Sequence, residues 1–364
     1  MAVCRACDAR NWICLVKVLI TADLHIHPHK NSTDRLYDGI KVLEWINETA
    51  IENGCRYIIC VGDLFQDRQK IYVLTYQKVF ECFKKYSSMT SWKLLLGNHD
   101  LWFAEKWDIS SVYPLSALPN VEVISKPCSQ EIDGQWFDWL PFVKNPLKAI
   151  ECFPPEKRVG HVLCAHIAVD GAVQGTCHHT SDVSVEFEGD MTKVTPDSFG
   201  GWKYVFLGHY HTAQFLDERM QYVGSPYQIN FNEAGHTPRV VILDTATMTL
   251  DYKENTFSPR HLIVDESKLG EVDVVNNFVQ VRGDLTKFDA FEIQRSIADG
   301  QVRGLEFRAA SLKTEIGSGN VKEKFDLAEG RTLERYVDAV GESGLDRANL
   351  IQLALEIVDE SRQK

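Results

Sequence analysis

Apolar residues along this chain come in short dense runs that break off in polar groups. The first is "LVKVLITADLHIHPH" (15–29), which reads as a buried strand ending abruptly in polar residues. Ser32, Thr33 and Asp34 follow as candidate N-caps. Leu36, Ile40, Leu43, Ile46 or Asn47, and Ala50 then recur at helical spacing, and Gly54 closes the segment. The theme repeats as a strand, "CRYIICVGDLF" (55–65), an amphipathic helix, "YVLTYQKVFECFKKYSS", and a third strand, "SWKLLLGNHD". Further strands and turns are predicted at "NVEVISKP" and "QEIDGQWFDWLPF". "HVLCAHIAVDG" (161–171) and "WKYVFLGHYH" (202–211) are two more strands with polar ends, and "MQYVGSPYQINF" and "RVVILDTATMTLDYKE" complete a sheet-rich region. Strand–helix alternation first and mainly strands later predict an α/β sandwich of two mixed β-sheets flanked by helices.

Around residue 256 the character changes. The stretch from "NNFVQVRGDL" to "FRAASLK" reads strand, helix, strand, which sets off a small α/β unit over 257–315 from a main domain over 16–256. "GSGNVKEK", within 316–326, is a linker; it lacks the glycine–lysine spacing of a phosphate loop. Residues 327–364 give two amphipathic helices around "GESG", with Leu333, Val337 and Val340 on one and Leu350, Leu353, Ala354 and Ile357 on the other. Residues 1–15 read as a ragged extension.

At 364 residues the chain can bury one large core or two to three smaller ones. It has no apolar stretch of about 18 residues and no convincing signal peptide, so a cytoplasmic protein without a membrane span is expected. Of ten cysteines, Cys55, Cys60, Cys82 and Cys164 lie in apolar patterns and are expected to be buried thiols. Cys4 and Cys7 form a lone CxxC with Cys14 nearby but no fourth ligand at zinc spacing. The net charge of −12 argues against a nucleic-acid binder working alone, unless cations or a partner supply the positive field.

Five strands end in metal-type ligands: Asp23 with His25, Asp63, Asn98 with His99, His166, and His209 with His211. Ligands gather at the carboxyl ends of strands in open α/β sheets, so strands sharing one edge or two facing edges bring these groups together. In extended chain, side chains at i and i+2 point the same way, so one cation could reach Asp23 and His25, and another His209 and His211. Asp63 has two oxygens and can bridge two cations. The set mixes carboxylate, amide oxygen and imidazole without cysteine, which favours manganese, iron or zinc over a structural zinc site. Two such ions roughly 3.5–4 Å apart suit phosphoester hydrolysis, lowering the pKa of a shared water and stabilising phosphoryl charge. Each fragment alone is a weak signal; together and in order they are specific.

The series "ADLH", "GDLF", "GNHD", "AH", "GHYH" resembles the calcineurin-like metallophosphoesterases over residues 17 to about 250. The resemblance implies a metallophosphoesterase sandwich with one divalent ion on Asp23, His25, Asp63 and His211. It places a second on Asp63, Asn98, His166 and His209, with His99 assisting the leaving group or the transition state. Manganese is the favoured metal, with magnesium, iron or zinc as alternatives. "AHIAVDGA" and "YVGSPYQINFNE" are similar to the SbcD-like double-strand-break nucleases, and the length and tail to the phage recombination nuclease subunits of T-even type. That branch implies a two-metal DNA exo- or endonuclease acting in DNA end processing, recombination and repair. It also implies a DNA-binding cap at 257–315, a homodimer, and docking of the C-terminal hairpin on an SbcC-type coiled-coil ATPase. Cellular members often carry a histidine just after "GDLF"; here Gln66, Asp67 and Arg68 follow. The alternative on the same metal core is a stand-alone phosphatase or cyclic-nucleotide phosphodiesterase.

Other residues carry weaker expectations. His27 and His29 read as exposed loop histidines, and His178 and His179 as a surface loop that could line a DNA channel. Trp102, Phe103 and Trp107 read as core or lid residues rather than base-stacking platforms.

Overall fold

The computed structural model describes residues 17–29, 32–103, 106–173, 194–283, 293–294, 297 and 302–309. The Cys4–Cys7 pair, His178, His179, the 316–326 linker and the 327–364 helices lie outside them. The chain divides into two units, Met1–Ala310 and Ser311–Lys364, and every described residue belongs to the first.

In chain order the elements begin β1 (Lys17–Thr21), α1 (Thr33–Glu52), β2 (Cys55–Cys60), α2 (Val73–Lys85), β3 (Ser91–Leu95) and β4 (Val121–Ile124). Next come β5 (Cys128–Ile132), β6 (Gln135–Leu140), α3 (Pro146–Ile150), β7 (Val162–His166), β8 (Tyr204–Gly208), β9 (Gln214–Phe215) and β10 (Met220–Tyr222). The last are β11 (Arg239–Asp244), β12 (Thr249–Glu254), β13 (His261–Asp265), β14 (Phe278–Gly283) and β15 (Gly304–Ala309).

Two six-stranded mixed sheets form the sandwich, in the orders β12-β11-β1-β2-β3-β4 and β5-β6-β7-β8-β10-β9. Strands β1 to β4 run parallel, as do β6, β7, β8 and β10. All of these parallel strands therefore present their carboxyl ends on one rim of their own sheet. Alternation along each strand divides its side chains between two cores. Val18, Ile20, Ile59, Val61 and Leu95 face Phe137, Trp139, Val162, Cys164 and Phe206 in the core between the sheets. Leu19, Ile58, Cys60 and Leu94 pack the other way, against Leu36, Leu43 and Ile46 of α1 and Val79 and Phe83 of α2. Leu163, Ala165, Val205 and Leu207 cover the outer face of the second sheet with Ile150, Phe199 and Trp202.

Helix α1 starts where the Ser32 hydroxyl accepts from the Arg35 N–H at 3.3 Å. Its predicted apolar face is buried, and each fully buried Leu or Ile contributes about 1.5–3 kcal/mol. Asn47 sits on that face because it is satisfied three ways. It donates to Leu43 O at 2.8 Å and accepts from the Thr90 hydroxyl at 2.9 Å and Trp92 Nε1 at 3.0 Å, tying α1 to β3. Cys55, Cys60, Cys82 and Cys164 are free, buried thiols. After the sandwich, β13, β14 and β15 make a three-stranded sheet with parallel pairing throughout.

No described helix is long and apolar enough to cross a membrane.

Candidate metal centre

The strands stop before the functional residues begin. β1 ends at Thr21, β2 at Cys60, β3 at Leu95 and β8 at Gly208, and only His166 lies inside a strand. The expectation that Asp23/His25 and His209/His211 align by extended pleat is corrected here. Asp23 (φ 52°), His25 (φ 44°), Asp63 (φ 56°) and His209 (φ 103°) are all left-handed. Such steps cost a residue bearing a Cβ about 1–2 kcal/mol each. Those after β1 and β2 are held by a ladder that extends these two neighbouring strands: Asp23 N–H to Gly62 O at 3.0 Å, His25 N–H to Asp63 O at 3.0 Å, and Ile26 N–H to Leu64 O at 2.9 Å.

Glycines leave room for this approach. A Cβ on Gly97 would stand 2.1 Å from Asp63 Oδ1, one on Gly62 2.2 Å from His166 Nδ1, and one on Gly208 2.1 Å from Val61 O. The glycines of "GDLF", "GNHD" and "GHYH" are therefore places where the ends of β2, β3, β7 and β8 touch through bare backbone.

The structure brings all eight strand-end residues into one cradle. Asp23, His25 and His211 offer ligand atoms within 4.8 Å of one another, as do His25, Asp63 and His99, and Asp23, Asp63 and His166. Asn98 Oδ1 lies 2.9 Å from His166 Nε2 and 3.0 Å from His209 Nδ1, adding the last two members. Asp63 is central. Its Oδ1 accepts from the His99 N–H at 2.8 Å, while its Oδ2 faces His166 Nε2 at 3.3 Å and His25 Nε2 at 3.5 Å. Asp23 uses both oxygens to receive the His209 N–H, at 2.9 and 3.1 Å. His166 donates from Nδ1 to Val61 O at 2.8 Å, which turns its Nε2 to Asp63 and Asn98. His99 Nδ1 bonds Gln66 O at 2.6 Å, a backbone contact indifferent to which side chain follows "GDLF".

The donor set fits divalent cations. Both ring nitrogens of His25 are buried without a hydrogen-bond partner; a cation is the partner such nitrogens take when no donor or acceptor is supplied. Burial, then His211 and His99, hold the His25 pKa well below its ordinary value, so the ring is neutral and offers lone pairs. Burial likewise brings His209 down to about 3. Burial opposes charge on His166, but Asp63 and then Asp23 carry its pKa up to about 9. Burial raises Asp63 too, yet His166, His99 and His25 hold it well below the usual carboxylate range. Burial lifts Asp23 to about 6 against the pull of His166 and His211. A compact positive charge between these lone pairs would resolve all of these tensions at once.

Two further carboxylates complete the site, and the sequence patterns above single out neither. Asp100 is fully buried and accepts from Asp63 N–H at 2.8 Å, Leu64 N–H at 3.1 Å and Gly97 N–H at 2.9 Å. It clamps the second rim to the third. Its signal was its place in "GNHD", beside two polar residues already suspected. Glu233, at the end of "INFNE", reaches His211 Nδ1 at 2.7 Å. It closes "YVGSPYQINFNE", a stretch that carries part of the resemblance but to which no site residue is assigned.

Several peripheral expectations change. His27 and His29 are half-buried rather than exposed: His27 Nε2 lies 3.0 Å from Asp67 Oδ2, and the two rings meet edge to face at 5.1 Å. Of the two readings of Trp102 and Phe103, core or lid, only the second is compatible with their exposure; their rings are 4.4 Å apart. Backbone pairing of Trp102 N–H with Ile109 O holds this turn above the core. Trp107 does pack on the core and donates to Phe142 O at 3.2 Å.

A two-sheet sandwich with carboxylate, amide and imidazole groups on facing carboxyl-terminal rims defines a metallophosphoesterase. The calcineurin-like phosphoesterase family pattern matches residues 16–213, a span that closes two residues after His211, and the chain belongs to that family. It is therefore a metal-dependent phosphoesterase, and its cluster of histidines and aspartates could hold divalent metal ions. Among proteins it is similar to "Exonuclease subunit 1" of Enterobacteria phage T4, 24% identical over 361 residues, covering 96% of this chain and 100% of that one. It is also similar to the SbcD subunit of the SbcCD nuclease of Bacillus subtilis (strain 168), 23% identical over 271 residues, covering 63% of this chain and 66% of that one. Among solved structures, the Pseudomonas putida nuclease MPE matches 62% of this chain and 83% of its own at 17% identity, with a TM-score of 0.29.

Proposed function

We propose that this protein is a two-metal DNA nuclease, phage-encoded, acting as the nuclease subunit of an SbcCD-like complex in DNA end processing, recombination and repair. The observation that carries the reading is the cradle around Asp63, which collects lone pairs from both sheets and leaves both nitrogens of His25 unpartnered. Asp23, His25, Asp63 and His211 would hold one ion and Asp63, Asn98, His166 and His209 the other, with manganese the favoured metal. Bound there, the ions supply Lewis-acid stabilisation of charge on the phosphoryl oxygens.

The protein's own groups do the rest. His99 is fixed through Nδ1 by Gln66 O and through its backbone N–H by Asp63, which leaves Nε2 free to assist the leaving group or the transition state. Asp100 keeps the rims from drifting; a shift of about 1 Å at such a site can cost 10²-fold in rate. Trp102 and Phe103, two and three residues past Asp100, are partly exposed aromatic side chains against which an unpaired base could stack. The 257–315 region would serve as a DNA-binding cap and the 327–364 helices as the dock for a coiled-coil ATPase. The full-length match to a chain named as a subunit supports the dependence on a partner. That partner, together with the bound cations, would supply positive field that a net charge of −12 lacks. The resemblance also supports a homodimer.

The test is manganese-dependent cleavage of linear double- and single-stranded DNA beside a small p-nitrophenyl diester, for the parent and His99→Ala. DNA cleavage lost in His99→Ala supports the nuclease. Hydrolysis of the small diester alone, unchanged by adding a partner ATPase, moves the function to a stand-alone phosphodiesterase. A version ending at Lys324 that still bound the ATPase with full affinity would remove the docking role of the tail.

A further inference from the structure

The histidines of the cradle are not held alike. His166 is aimed by a backbone carbonyl, while His25 has no partner on either nitrogen. His211 is aimed by a carboxylate from outside the cradle: its Nδ1 lies 2.7 Å from Glu233 Oε1. An ionised carboxylate only accepts, so Nδ1 must carry the hydrogen, and in the neutral ring the lone pair is then on Nε2. Asp23, His25 and His211 offer ligand atoms within 4.8 Å of one another, and the His25 and His211 ring centroids are 4.6 Å apart.

Glu233 is itself locked. It is buried, and its second oxygen accepts from the Ile229 N–H at 2.6 Å. The same short segment is gripped from α1, where Arg35 Nη2 donates to Ile229 O at 3.0 Å and Gln228 O at 3.4 Å. Arg35 is buried, paired with Asp38 at 3.6 Å, and covers the Phe278 ring of β14 at 4.4 Å. Asp38 in turn receives Arg303, just ahead of β15, at 2.6 Å. A chain of contacts thus runs from His211 through Glu233 and the 228–229 backbone to α1 and the three-stranded sheet.

We propose that Glu233 is a positioning residue for the metal ligand His211, fixing which ring nitrogen faces the metal, and that Arg35 holds the segment that presents it. The proposal rests on the reading of His211 as a ligand. A carboxylate in this place raises the basicity of the ligating nitrogen and fixes its direction, and losing such a partner typically costs 10- to 100-fold in metal affinity.

Glu233→Gln is the sharp variant. Its amide oxygen can keep the Ile229 N–H, but its NH2 then faces His211 Nδ1. The ring must flip its hydrogen to Nε2, which removes the ligating lone pair, or set two donors against each other. The measurement is calorimetric titration of the metal-stripped full chain with Mn²⁺, with thermal unfolding followed alongside, for the parent, His211→Ala, Glu233→Gln and Arg35→Lys. The expected result is one of two sites weakened about 10- to 100-fold in Glu233→Gln, the other unchanged, and the melting temperature kept. Arg35→Lys, whose single ammonium cannot serve the two carbonyls and Asp38 at once as the two ends of the guanidinium do, gives a smaller loss at that same site. A loss in His211→Ala with none in Glu233→Gln overturns the proposal and leaves the ligand reading standing. No loss in either variant overturns the ligand reading and the proposal with it. Weakening of both sites in step with a fallen melting temperature also overturns it, because that is the signature of a purely structural carboxylate.

Discussion

Two buried carboxylate–imidazole clusters adjoin the second sheet, and they are built on opposite principles. On its outer side Asp138 of β6 accepts from Trp202 Nε1 at 2.6 Å, the Ser129 hydroxyl at 2.5 Å and His161 Nδ1 at 3.1 Å. Every one of those partners brings a hydrogen. Where the two rims face, Asp63 Oδ2 meets ring nitrogens of His166 and His25 at 3.3 and 3.5 Å, and Asn98 adds another oxygen beside His166. That cluster combines donors with groups that can also offer lone pairs, and both ring nitrogens of His25 lack a hydrogen bond. A carboxylate whose neighbours all donate is cement, whereas one flanked by imidazoles and an amide oxygen that can turn a lone pair inward is a seat for a cation. Composition does not separate the two; the direction of the hydrogens does.

This contrast breaks most visibly under matched substitutions. Asp63→Asn should keep an acceptor for the His99 N–H yet lower manganese-dependent cleavage by about 10³-fold or more, because several kcal/mol of transition-state stabilisation are lost. Asp138→Asn should leave cleavage and metal affinity alone and cost about 1–3 kcal/mol in denaturant unfolding, since the amide turns a donor toward another donor. If the two effects changed places, the division into cement and seat would be wrong. Gly97→Ala sets a methyl against Asp63 Oδ1; metal affinity or turnover should fall by about 10²-fold, in line with a 1 Å misplacement.

Proton release separates the clusters more finely. His166 is held up to about 9 by Asp63 and Asp23 against burial, and His211 up to about 9 by Glu233 against burial. Without metal both rings carry a proton at pH 7 that an incoming cation must displace. Apparent Mn²⁺ affinity should therefore rise from pH 7.0 to 8.0, by up to about tenfold per unit for each proton displaced. Titrations in buffers of different ionisation enthalpy count those protons, and a pH-independent affinity would contradict the assignment. The smallest effect expected is in Ser129→Ala, which removes one of the three donors to Asp138 and should cost about 0.5–1.5 kcal/mol.

Much of this was legible beforehand, for identifiable reasons. Val18, Leu19 and Ile20 alternate between two cores, and parallel strands buried on both faces announce themselves as continuous apolar runs. The eight strand-end residues were legible because each breaks such a run. The left-handed backbone at Asp23, His25, Asp63 and His209 was not, since an extended chain predicts the same pairing of side chains at i and i+2. Asp100 and Glu233 were hidden because their partners are backbone N–H groups and a histidine brought from elsewhere by the fold. Trp102 and Phe103 are exposed, which fits only the lid half of what aromatic rings after a strand end suggest.

The four left-handed rim residues bear on how long each copy of this protein lasts. Together they hold strain of order 4–8 kcal/mol, comparable with the whole net stability of an ordinary domain. An ion present at a hundred times its dissociation constant returns about 2.7 kcal/mol. If the cradle binds its ions, the same sequence would last longer in metal-replete surroundings than where the ion is scarce. Supply of the ion would then govern how many copies survive as well as how fast each one works.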